Sequence, residues 1–74
     1  MTPKQCRAAR AWCRLSAAQL AQSAGVTRIT VCRFETGGRH TAGTVKRLQT
    51  ALEQEGVKFL FTHNGEGVGI EAQP

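Results

Sequence analysis

The sequence predicts a mainly α chain: four helices over residues 1–56 followed by a β-hairpin over 57–72, in a single domain of 74 residues. Three observations lead there. Residues that start helices, Thr2, Ser16, Thr27 and Thr41, each precede a stretch of helical apolar spacing. Gly25, Gly37-Gly38 and Gly56 stand where three of those stretches stop. Beyond Gly56 the apolar spacing changes from 3.6 to 2, the period of a strand.

The first helix opens on Thr2-Pro3-Lys4-Gln5, with Thr as cap, Pro at the first helical position and Gln in the place that closes a capping box. It runs to about Arg14 and buries Cys6, Ala9 and Cys13, with Trp12 expected at the rim of the core. Ser16 and Gln19 repeat the capping box for a second helix, which ends at Ala24 because Gly25 takes a left-handed turn most easily. Val26 packs the corner and Thr27 caps a third helix, Arg28 to Thr36. Leu20, Ala24, Val26, Val31 and Phe34 line the concave side of the pair, and Ala21 is small where the two helices approach closely. Thr41 caps the fourth helix, whose stripe is Val45, Leu48, Ala51 and Leu52. In the hairpin, Val57, Phe59 and Phe61 alternate with Lys58, Leu60 and Thr62; Asn64-Gly65 marks the turn, and Val68, Ile70 and Ala72 follow. Gln73-Pro74 is expected to fray.

Around the third helix, Val31 and Phe34 point inward while Arg28, Ile29, Cys32, Arg33 and Thr36 share the outer side. Two arginines and an isoleucine with no acid suit a DNA major groove, where Arg pairs with guanine and an apolar side chain meets a thymine methyl. The same face would also suit a plain solvated helix, so the surrounding pattern has to decide. That pattern, Leu20-Ala21, Ala24-Gly25-Val26, Val31, Phe34-Glu35 and Gly37, resembles the helix-turn-helix of the phage-repressor and Cro type, the Xre-like family, over roughly residues 3–56. The resemblance implies a helical bundle whose third helix, starting at Thr27, enters the major groove, with Thr27, Arg28, Ile29, Cys32 and Arg33 as base contacts. It also implies a structural ion pair between Arg10 and Glu35, and a loop after that helix that follows the DNA backbone, which makes Arg39 and His40 phosphate contacts. Two positions depart from the family pattern: Ala17 stands where Gln is usual, and Arg14 where Gly is usual. Arg14 must therefore accept an unfavourable backbone conformation, or the turn must differ in shape. The hairpin departs from the fifth helix of many phage repressors and is similar to the strands of Cro-like proteins.

Charge supports the same side of the molecule. Residues 1–47 carry nine basic side chains against Glu35 alone, net +8, whereas residues 48–74 carry Lys58 against four glutamates, net −3. Such an oriented field favours a polyanion on the basic part. Lys4, Arg7 and Arg14 read as exposed, with Lys4 and Arg14 in reach of flanking phosphates, and Thr44 stands near a helix amino end where a phosphate can bind. Leu60 and an unpaired strand edge invite a second copy of the chain, so Phe59, Leu60 and Phe61 are the expected homodimer contacts; a monomer whose hairpin lids the core is the alternative.

Other classes find little support. There is no Asp, the five Glu are scattered, and Cys6, Cys13 and Cys32 match no zinc spacing, so neither catalysis, a metal nor a cofactor is expected. No apolar run of about 18 residues and no secretory leader pattern occur, which with three unpaired cysteines predicts a cytoplasmic, nucleoid-associated protein. The expected function is a sequence-specific transcription regulator, a repressor in its simplest form, on a pseudo-palindromic operator. An antitoxin or anti-activator working through protein contacts is the alternative.

Overall fold

A computed structural model describes residues 1–62 and 67–72. Four helices come first: α1 (Pro3–Trp12), α2 (Ala17–Ala24), α3 (Arg28–Glu35) and α4 (Ala42–Gln54). An antiparallel pair of strands, β1 (Val57–Phe61) and β2 (Gly67–Ala72), completes the chain. The expected Asn64-Gly65 turn and the fraying of Gln73-Pro74 fall outside the described residues. Among the described residues no helix is long and apolar enough to cross a membrane.

Each helix begins as its first residues dictate. Thr2, Ser16, Thr27 and Thr41 all hold extended backbone and accept a hydrogen bond from the N–H three residues on. In α1 and α2 the reciprocal bond from Gln5 and Gln19 completes the capping box, so two otherwise orphan donors are satisfied at each end.

The helix ends show one repeated solution with one irregular member. After α2, the Val26 N–H donates to the Ala21 carbonyl and the Gly25 N–H to Gln22, around a left-handed Gly25 (φ 74). After α3 the same double bond joins Gly38 to Arg33 and Gly37 to Phe34. After α1 it joins Leu15 to Arg10 and Arg14 to Ala11, and here the left-handed residue is Arg14 (φ 57). The chain thus keeps the glycine-type turn and carries the conformational cost on an arginine, on the order of 1–2 kcal/mol. α1 accordingly stops at Trp12, two residues earlier than the apolar pattern suggests.

The core is one cluster: Cys6 and Ala9 from α1, Leu20 and Ala21 from α2, Val31 and Phe34 from α3, Leu48, Ala51 and Leu52 from α4, and Val57 and Phe59 from β1. Ala24, Val26 and Val45 pack partly buried against it. Three expectations need correction. Trp12 is 65% exposed, because α1 ends there and the chain turns away instead of covering the ring. Phe59 is buried in the core with Val57, so it is not available as a dimer contact. Phe61, expected on the same inner face, is 42% exposed. It follows a shift in strand register, where Leu60 pairs with Gly69 but Phe61 pairs with Gly67, so the regular inward alternation of β1 stops at Phe59.

One polar side chain ties both strands of the hairpin to the bundle. Gln5 is 4% exposed; its amide nitrogen donates to the Leu60 carbonyl at 2.8 Å and the Gly69 carbonyl at 2.7 Å, while its oxygen accepts from the Thr2 N–H at 2.9 Å. The same residue therefore caps α1 and holds both strands. Gly67 lies so close to it that a Cβ there would overlap the Gln5 amide and the Thr2 methyl, so a larger residue would have to displace that amide from its bonds to the strands.

Candidate nucleic-acid interface

α3 sorts its residues into two faces. Val31, Phe34 and Glu35 turn inward, while Thr27, Arg28, Ile29, Cys32 and Arg33 are all exposed. Ile29 is a β-branched side chain 59% open to solvent, flanked by cations and with no acid beside it on this face. Thr27 is already engaged: its hydroxyl accepts from the Thr30 N–H at 3.2 Å and shares a hydrogen bond with the Thr30 hydroxyl at 2.9 Å. It fixes the start of α3. The five residues expected at DNA bases are thus all exposed on α3 and its cap, and the Arg28 and Arg33 side chains hold unspent hydrogen-bond donors.

The position of α3 is set from behind by an ion pair. Arg10 meets Glu35 in a two-pronged arrangement, Nε to Oε2 and Nη2 to Oε1, both 2.9 Å, and its Nη1 donates to the Leu15 carbonyl at 3.1 Å. The Cys6 thiol donates to the same Glu35 Oε2 at 3.4 Å. The Glu35 hydrogen bond raises the Arg10 pKa despite the opposing effect of burial. Burial first, then the Glu35 charge and its hydrogen bond, push the Cys6 thiol up to about 12. Cys6 is therefore an inert, protonated packing residue, and the acid nearest α3's outer face is neutralised and buried.

The expected phosphate contacts lie in three places: the loop after α3, the start of α4 and the end of α1. Arg39 and His40 lie exposed in the loop between α3 and α4. His40 is pinned there: Nδ1 lies 3.0 Å from the Gly38 carbonyl, and the ring meets Phe34 edge-on at 4.8 Å. Thr44, half-buried, donates its N–H to the Thr41 hydroxyl and accepts that hydroxyl's proton at 3.0 Å, which leaves its own hydroxyl proton for an outside acceptor. Arg14 is exposed at the end of α1. Sequence reasoning passed over Arg47, whose guanidinium reaches Gly25: a Cβ on that glycine would stand 3.6 Å from Nη1. A cation at the carboxyl end of α2 complements the helix dipole and adds positive charge to the corner that leads into α3. Its signal was only its place in the basic run Lys46-Arg47.

No family model matches the chain, and a search of curated proteins finds no significant relative. The functional reading therefore rests on the geometry.

Proposed function

We propose that the chain is a sequence-specific DNA-binding transcription regulator, most simply a repressor, in which α2 and α3 form a helix-turn-helix of the phage-repressor and Cro type. α3 is its recognition helix, and Arg28 and Arg33 are the principal base-edge contacts. Ile29 and Cys32 supply the apolar contacts in the groove, and Arg39, His40, Thr44 and Arg14 fix register on phosphates. The observation that carries this reading is the acid-free exposed face of α3, with Glu35 turned inward onto Arg10. Double-stranded DNA is the partner, and the site of action is the nucleoid in the cytoplasm. A homodimer formed through the hairpin, with Leu60 and Phe61 at the contact, places two copies of α3 on half-sites about one DNA turn apart, on the order of 34 Å.

A gel-shift titration on DNA upstream of the gene, repeated across salt concentrations, tests the proposal. Specific binding with a steep salt dependence is the expected result. Equal affinity for unrelated duplexes at every salt concentration would rule out a sequence-specific regulator.

The exposed Trp12, Leu60 and Phe61 favour a second reading, an antitoxin or anti-activator that covers a partner protein. Stable co-purification of one partner, lost on Trp12→Ala or Phe61→Ala while DNA binding persists, would select it.

A further inference from the structure

A groove of about 600 Å³ separates the first two turns of α1 from the carboxyl end of α3, with Thr2, Pro3, Lys4 and Arg7 on one wall and Glu35, Thr36 and Gly37 on the other. Its electrostatics are one-sided. Glu35 is matched by Arg10, whereas Lys4 and Arg7 are exposed and, among the described residues, make no side-chain hydrogen bond or ion pair. The opposite wall contributes no free donor of its own. Thr36 Oγ1 donates to the Cys32 and Arg33 carbonyls, at 2.9 and 3.2 Å, and the Gly37 N–H is bonded to Phe34. What the groove offers is two unpaired cations, three residues apart on one side of α1, facing a wall whose one charge, Glu35, is already paired with Arg10. Thr36 belongs both to that rim and to the outer side of α3, so the groove continues the surface proposed to meet DNA.

We propose that Lys4 and Arg7 form a second row of phosphate contacts, which takes the DNA backbone strand on the α1 side of α3. Arg39 and His40 take backbone on the side of the loop after α3. This inference rests on the DNA-binding reading above and gives it a definite breadth: the duplex is held from two sides of the recognition helix. Lys4 and Arg7 recognise charge, so they raise affinity for every sequence alike and leave base preference untouched.

The experiment compares three single variants of equal charge change, Lys4→Gln, Arg7→Gln and Lys58→Gln, the last on the exposed side of β1. Binding of each to operator and to random duplex is measured from low to high salt. Lys4→Gln and Arg7→Gln are expected each to reduce the slope of log K against log salt by about 0.9, with the ratio of operator to random affinity unchanged. Lys58→Gln is expected to leave the slope as it was. Unchanged slopes for the two α1 variants, or an equal fall for Lys58→Gln, overturn the inference while the DNA-binding reading survives. Absence of DNA binding by the unaltered chain overturns both. Neither α1 side chain holds the fold, so unchanged thermal melting of the variants confirms that the comparison is made between folded proteins.

Discussion

Arg14 and Cys6 show how much a single residue's surroundings decide. Arg14 occupies a left-handed conformation that α2 and α3 reserve for glycine at the same turn. Arg14→Gly should therefore stabilise the protein by about 0.5–1 kcal/mol, the relieved strain being partly offset by glycine's freer unfolded chain. Urea unfolding measures the gain; if Arg14 also meets a phosphate, DNA affinity falls as stability rises, and these opposite signs separate the two roles. Cys6 behaves differently because its thiol is buried against Glu35. Its folded pKa, about 12, lies above the ordinary value of 9.0, so its contribution is complete below pH 9 and disappears as the pH climbs toward 12. Stability should fall through that window by on the order of 1.4 kcal/mol per pH unit from this group. Cys6→Ala, whatever it costs at neutral pH, should flatten that alkaline decline in denaturation midpoints.

Two polar fastenings join the helices and strands to one another. Arg10 links α1 to α3 through Glu35, which is only 7% exposed. Removing the cation alone, as in Arg10→Met, strands that carboxylate and should cost about 3 kcal/mol. Arg10→Met combined with Glu35→Leu should restore most of the loss, since the buried charge is then gone as well; a double variant as unstable as the single one would show that packing, not charge, was lost. Gln5 links α1 to both strands. Gln5→Ala leaves the carbonyls of Leu60 and Gly69 and the Thr2 N–H without that partner, at a cost of ~2 kcal/mol or more. Hydrogen exchange should quicken in β1 and β2 while the α2–α3 amides keep their protection, because the clamp reaches the hairpin and not the corner. The capping role of Gln5 was legible in the sequence, since it needs only a residue three places away. Its grip on the strands was not, because those partners lie 55 and 64 residues further along.

At the scale of the whole molecule, charge is divided along the chain, basic in its first two thirds and acidic beyond. The nine basic residues of positions 1–47 share that stretch with a single acid, Glu35, which is buried against Arg10, and the other acidic residues of the described chain lie in α4, after it and in β2. If α3 and the loop after it meet DNA, their residues divide the work. Arg33→Ala should cost ~1–3 kcal/mol on the preferred sequence and relax one base position, whereas Arg39→Ala should weaken all sequences alike and shallow the salt dependence by about one counterion. Binding measured on a panel of singly substituted operators distinguishes them, and identical profiles for the two variants would contradict the division. The hairpin's contacts were only partly legible. Leu60 and an unpaired strand edge led to Phe59, Leu60 and Phe61 as expected contacts, yet Phe59 fills the core and of the three Leu60 and Phe61 lie at the surface.

What the sequence determined by itself is whatever depends on neighbours a few residues apart. It set the four caps, the left-handed stop at Gly25, the helical and strand periods and the outward face of α3, because backbone hydrogen bonds and side-chain periodicity act over one or two turns. The Arg10–Glu35 pair became legible through a resemblance spanning most of the helices. Tertiary structure decided which of the two outcomes open for Arg14 holds, and it alone decided that Trp12 would stay uncovered, that Phe61 would lie exposed beyond the register shift, and that Gln5 would hold the hairpin. Each of these depends on which surfaces meet once distant segments pack, and local spacing carries no record of that meeting.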